Sequence, residues 1–214
     1  MEALILVAHA DDETLGAGGT IQILIKNSWM VKIVIISNGI LDVRGTIEDN
    51  RAAAESACKM LGAQPPVFLG YADQKFDQTA IADIANTVMN LKLTPDLIIT
   101  HSSRDLNLDH RITCEVAKIC GRPKNKPISI LECEIPNASF WGGNVFRANY
   151  FVDISQVIDK KIEAFSKYEN ELQEYPHPWS KKGLRLLAEY HGMQSGCQYA
   201  EAFELVRGYG GRLI

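Results

Sequence analysis

Two short segments concentrate the residue types that hold metals and move protons. One is His9-Ala10-Asp11-Asp12-Glu13, and the other runs from His101 through Asp105, Asn107 and Asp109 to His110. A catalytic zinc ion commonly takes three protein donors and leaves its fourth position to water. Two imidazoles and one carboxylate make a common set, and His9, Asp12 and His110 can supply it. Asp11 would then be free to act as general base on water whose pKa the metal lowers to about 7. Asp109 is a candidate for fixing the orientation of a histidine ligand. Each segment alone also has a plainer reading. Paired carboxylates after a strand favour the positive end of the next helix, and Asp-His at a helix start commonly serves as a cap.

What raises the chemical reading is the place of the two segments in the chain. Apolar runs that read as strands covered on both faces occur at 3–8, 31–36, 67–69, 95–100 and 128–131, with one more at 149–153. Helical patterns lie between them, at 14–27, 48–61, 78–91 and 109–120. Further helices are expected at 155–168, with Ser155 as N-cap, and at 184–194 and 201–206, while the Pro- and aromatic-rich 174–182 reads as a loop. This rhythm predicts an α/β fold, a Rossmann-like doubly wound and mostly parallel sheet with helices on both faces. With strand order 3-2-1-4-5, the first and fourth strands are neighbours whose connections leave in opposite directions, so a crevice opens beyond their C-terminal ends. The two His/Asp segments follow those two strands and would meet there.

The chain has 214 residues, which fits one domain. Residues 1–133 read as the Rossmann-like core and 134–214 as elements completing the cleft. With 46% apolar and 22% charged residues it has the composition of a globular protein. A net charge of −4 with no basic block argues against nucleic acid as a partner. The five cysteines include no C-x-x-C pair and their number is odd, so a reducing compartment is expected. The apolar start, 1–8, is too short to span a bilayer or to serve as a signal peptide, and the reading is a cytoplasmic protein. Gly16, Gly18 and Gly19 lack the G-x-G-x-x-G order, and Ser37-Asn38 stands where a dinucleotide-binding strand would end in an acidic residue.

Ala8-His9-Ala10-Asp11-Asp12-Glu13 resembles the A-H-P-D-D-E signature of the LmbE-like family, also called the PIG-L deacetylases, and Asp105-Leu106-Asn107-Leu108-Asp109-His110-Arg111 resembles its D-x-[HN]-x-D-H-R motif. Ser37-Asn38-Gly39, Arg51 to Glu55 with Leu61-Gly62, Leu69 to Asp73, Asn149 to Ile154 and Tyr199 to Phe203 resemble further blocks in the same order, so the likeness covers nearly the whole chain. The resemblance implies zinc on His9, Asp12 and His110, Asp11 as general base, and substrate contacts from Arg51 and Asp73. It implies removal of an acetyl group from an N-acetyl amino sugar or a glycoconjugate built on one, and homo-oligomers are frequent in the family. Two positions depart from the pattern. Ala10 replaces the usual Pro, and Asn107 stands where many members carry a His that can polarise a carbonyl or hold a sugar hydroxyl. Asn107 still donates a hydrogen bond but carries no proton. A zinc amidase on another N-acyl substrate, such as an acylated antibiotic or a cysteine conjugate, and a non-catalytic sugar- or nucleotide-binding protein are the alternatives. Trp141, Tyr175, Trp179 and Tyr190 can stack on a sugar ring or pack. His101 can line the cleft or be structural, and His177 and His191 read as loop or helix-surface residues.

Overall fold

Successive side chains of a strand point to opposite faces, so a strand apolar at every position is covered on both. The first strand, β1 (Glu2–Val7), shows this directly. Ala3, Ile5 and Val7 belong to one hydrophobic cluster, and Leu4 and Leu6, with Ala8 just beyond, to the other. The computed structural model describes residues 1–43 and 46–210; the end of the expected C-terminal portion, 211–214, lies outside them. In chain order follow α1 (Asp12–Lys26), β2 (Met30–Ser37), β3 (Ile40–Val43), β4 (Thr46–Asp49), α2 (Arg51–Leu61), β5 (Val67–Tyr71), α3 (Ile81–Met89), β6 (Leu97–His101) and α4 (Leu108–Cys120). After β7 (Ser129–Cys133) come α5 (Ala138–Trp141), β8 (Tyr150–Asp153), α6 (Ile158–Phe165), α7 (Lys181–Ser195) and β9 (Ala200–Arg207).

The main sheet has the order β5-β2-β1-β6-β7-β9-β8. Its first five strands are parallel and in the expected order, and β9 and β8 extend it antiparallel. Helices cover both faces, with α1, α2, α6 and α7 on one cluster and α3 and α4 on the other. No helix among the described residues is long and apolar enough to cross a membrane.

Several local expectations are corrected. Residues 201–206 are not helical. Their Ala, Glu and Leu favour a helix in isolation, but β9 pairs with β7 on one side and β8 on the other, and that pairing overrides propensity. Ser155 is not an N-cap, because its hydroxyl donates to Asp153 Oδ1 and accepts from Tyr199 N, and helix α6 starts later, after Val157. The helix expected from Glu48 begins at Arg51, since Glu48 and Asp49 belong to the β3–β4 hairpin, which the sequence did not announce.

The glycines of α1 serve packing. A Cβ on Gly16 would lie 2.5 Å from Cys133 Sγ, and one on Gly19 would lie 2.6 Å from Ile154 Cγ2, so the helix sits closer to the sheet than any side chain would permit. The contact is locked by a buried ion pair. Glu201 of β9 accepts from the N–H groups of Gly19 (2.8 Å) and Thr20 (2.7 Å), and Lys161 of α6 reaches Glu201 at 2.6 Å and the Leu15 carbonyl at 2.8 Å. Helix α1 carries Asp12, so this pair ties the site to the C-terminal elements. Lys161→Met leaves the Glu201 charge buried without its cation and should lower the unfolding free energy by about 3–5 kcal/mol. Urea denaturation checks this, and a loss under about 1 kcal/mol would show that the pair does not hold α1 in place.

Candidate metal centre

The chain leaves β1 at Ala8 and turns sharply into α1. Asp11 takes φ 127° and ψ −33°, a conformation an L-residue adopts only at a cost of order 1–3 kcal/mol. The strained turn is held by Asp11 O, which accepts from Thr14 N and Leu15 N, and by Glu13, which accepts from Asp11 N and from the Tyr168 hydroxyl. Its result is that His9, Asp11 and Asp12 face one point. The second segment leaves β6 at His101. Asp105 Oδ1 accepts from Asn107 N at 2.8 Å, and Asn107 Oδ1 caps α4 by accepting from Asp109 N at 2.9 Å, which brings His110 to the same point on the first turn of α4.

The donors converge as a set. His9 Nδ1 lies 3.3 Å from His110 Nε2, and Asp12 Oδ2 lies 3.4 Å from each of them. The edge of a regular tetrahedron is about 1.63 times its centre-to-vertex distance, so these edges place a common centre about 2.0–2.1 Å from all three atoms, the length of zinc–nitrogen and zinc–oxygen bonds. A His9, Asp12, His110 group therefore fits a small divalent cation. The other such group, His101, Asp105 and His110, does not. The rings of His101 and His110 stack at 3.9 Å and 16°, so their in-plane lone pairs run nearly parallel and do not meet on one ion.

Each ring nitrogen turned away from the centre faces an acceptor. Asp105 Oδ2 lies 3.1 Å from His110 Nδ1. His9 Nε2 lies 3.1 Å from Asp73 Oδ1 and 3.2 Å from Asp109 Oδ2. Such contacts keep the proton on the outer nitrogen and the lone pair on the inner one. His101 is fully buried, and its Nε2 accepts the N–H of Ala8 at 2.9 Å, which fixes the neutral form with the proton on Nδ1.

The electrostatics also call for a cation. Burial alone would depress both ligand histidines, yet His9 is held well above the ordinary histidine value by Asp109 and Asp12, and His110 is carried up to about 9 by Asp12 and Asp105. Burial opposes ionisation of Asp12, but His110 and His101 hold it well below the usual carboxylate range. Asp11 is pushed well up, first by burial and then by the charges of Asp12, Glu171 and Glu13.

A cavity of about 220 Å³ opens at this point, lined by His9, Asp11, Asp12, Asp73, Asn107 and His110, with Leu41, Gln74, Asn137, Ala138, Glu171 and Trp179 around them. Seven of the eight residues singled out from the sequence are thus in the cavity wall or, for Asp109, directly behind His9. Arg51 is not among them. Its guanidinium is half exposed and forks onto Asp49, with Nε 2.9 Å and Nη2 2.6 Å from the two carboxylate oxygens. Sequence reading did not assign Asp105, Gln74 or Glu171 to the site. Asp105 carried a signal, because it stands in the same motif as His110. Trp179 does reach the cavity, its indole N–H fixed on the Pro136 carbonyl, whereas Trp141 is 61% exposed outside it. His191 is buried between Glu134 and Gln194, not on the surface.

Comparison with known proteins agrees with this geometry. The profile of the PIG-L family, described as GlcNAc-PI de-N-acetylase, matches residues 4–120, more than half of the chain and the part that holds both His/Asp segments. A diacetylchitobiose deacetylase from Thermococcus kodakarensis is 25% identical over 230 residues, covering 97% of this chain and 84% of the relative. The fold matches an N,N'-diacetylchitobiose deacetylase from Pyrococcus horikoshii with TM-score 0.75 and 20% identity, over 96% of this chain and 83% of the other. It matches a 4-carboxy-2-hydroxymuconate hydratase from Pseudomonas putida with TM-score 0.78 and 21% identity, over 100% and 99% of the two chains. With the family profile spanning both halves of the converging donor set, the chain belongs to the PIG-L family.

Proposed function

We propose that the protein is a zinc-dependent deacetylase that removes the acetyl group from an N-acetyl amino sugar or a glycoconjugate containing one. The observation that carries this reading is the set His9 Nδ1, Asp12 Oδ2 and His110 Nε2, with edges of 3.3–3.4 Å, beside a carboxylate in the same cavity wall that the set does not use. The family description and the diacetylchitobiose deacetylase relative support the substrate class.

Zinc, when bound by these three residues, supplies a Lewis acid that polarises the acetamide carbonyl and makes water acidic near neutral pH. Asp11 accepts the proton of the attacking water as its oxygen bonds to the carbonyl carbon. The same carboxyl group then gives that proton to the amide nitrogen as the carbon–nitrogen bond breaks, and acetate and the free amine leave. Asp105, Asp109 and Asp73 hold the outer ring protons of His110 and His9, so both ligands keep their lone pairs inward. Asn107 has its Oδ1 committed to the start of α4, which leaves only its amide N–H groups for substrate. Arg51, forked onto Asp49, has no part in this scheme.

The hydratase relative shows that such a fold also hosts addition of water to a carbon–carbon double bond. Its carboxylated substrate calls for cationic partners, and no Lys or Arg among the described residues lines this cavity, so amide hydrolysis is the better fit. The experiment is acetate release from a panel of N-acetyl amino sugars by purified protein with its metal content measured. Bound zinc with no acetate released from any member of the panel would overturn the proposal.

Two variants separate the roles. Asp11→Asn should keep its metal and fold and lose about 10²–10⁴ in kcat, because an amide cannot take up the water's proton. Metal loss on this substitution would move Asp11 into the ligand set. Asp105→Asn is informative in another way. Its amide oxygen can still accept from Asn107 N, so the NH₂ then faces His110 Nδ1 and favours the tautomer with the proton on Nε2, the nitrogen that must carry the lone pair. Zinc affinity should fall about 10–100-fold with the melting temperature of metal-free protein little changed. Chelator competition and calorimetry read the two, and wild-type affinity would show that Asp105 serves only the turn.

A further inference from the structure

We infer that the cavity selects its substrate by charge: it takes an uncharged amino-sugar ring and excludes a ring bearing a sulfate, phosphate or carboxylate, with Glu171 as a specificity-determining residue. The inference rests on the deacetylase reading and adds to it the class of sugar accepted.

Four carboxylates, those of Asp11, Asp12, Asp73 and Glu171, line the cavity, and no Lys or Arg does among the described residues. They come from three separate parts of the chain. Asp11 and Asp12 stand between β1 and α1, Asp73 follows β5, and Glu171 follows α6. A divalent cation on neutral imidazoles offsets two of the four charges, and the rest face whatever enters. The nearby cations are engaged elsewhere, Arg51 on Asp49 and Lys161 on Glu201. The crowding shows in the groups themselves. Asp73 is raised by burial and by the neighbouring Asp109 and Asp12, and Glu171 by burial and by Glu48, Asp12 and Asp73.

Glu171 differs from the other three in being free of the metal set. Its Oε1 accepts from Asn50 Nδ2 at 3.3 Å, and Asn50 Oδ1 accepts from Asn170 Nδ2 at 3.0 Å, so the carboxylate is held at the wall by an amide pair and not by a cation. It also lies outside the segment 4–120 that matches the family profile, in a part of the chain where this protein can differ from its relatives. Like charges brought within a few ångström in a partly enclosed site discriminate against the wrong ligand. The same field favours the product, whose amine becomes a cation at neutral pH.

The test compares kcat/KM for an N-acetylglucosamine disaccharide with that for its analogue sulfated on the ring that enters, in zinc-loaded wild-type and Glu171→Gln protein. Gln keeps the acceptor for Asn50 and removes the charge. The expected result is a preference for the neutral compound that shrinks about tenfold in Glu171→Gln. A binding measurement runs beside it, titrating zinc-loaded protein with glucosamine and with glucosamine 6-sulfate by calorimetry, where glucosamine should bind more tightly and the gap should narrow in the variant. Equal handling of neutral and sulfated compounds, or a preference untouched by Glu171→Gln, would overturn the inference. If no N-acetyl sugar is hydrolysed, the deacetylase reading fails by itself, and the calorimetric comparison still decides the question of charge.

Discussion

One carboxylate oxygen organises this protein. Asp12 Oδ2 is almost wholly removed from water, accepts the His9 N–H at 2.8 Å, and has the inner nitrogens of His9, His101 and His110 within 3.3–3.4 Å. A buried charge is tolerated only where it is paired and hydrogen-bonded. Holding it therefore demands that two crossover connections end at the same place, that α1 begin at a strained turn, and that α1 be pressed against the sheet by the Lys161–Glu201 pair and the bare backbone of Gly16 and Gly19. Much of the architecture is explained by the need to keep this oxygen and its neighbours in one geometry.

Around that oxygen the site is built in two layers. The inner atoms converge on a point that suits a divalent cation, and the outer ring nitrogens each face a carboxylate. The outer layer comes from loops: Asp73 from the end of β5, Asp105 and Asp109 from the β6–α4 connection. Loops placed by a rigid parallel sheet are the usual source of function in such folds. The excess of negative charge that results is useful while metal is bound and costly otherwise, which makes the metal part of the fold's electrostatic balance as well as of its chemistry.

How much of this was legible from the sequence depends on the distance over which each signal acts. The parallel core was readable, because strands such as Ala3 to Ala8 are apolar at every position and only a doubly covered sheet accommodates that. The convergence of His9, Asp12 and His110 followed from strand order alone. Asp105 was in view but its service to His110 depends on ring orientation, which no spacing reveals. Glu171 and Trp179 come from aperiodic chain and reach the cavity only through the packing of α6 and the loop after it. Arg51 was placed at the substrate by family resemblance, and a neighbour two residues away, Asp49, takes its guanidinium instead. The strand β9 was misread because its residues are good helix formers whose state is set by partners far off in sequence.

The central claim is that three named atoms form the cation site, and anomalous diffraction at the zinc absorption edge, from crystals grown with zinc, tests it most directly. The account predicts one strong peak with His9 Nδ1, Asp12 Oδ2 and His110 Nε2 as its protein donors, each about 2.0–2.2 Å away. A peak coordinated by Asp11 in place of Asp12, or centred on His101 and Asp105, would contradict it.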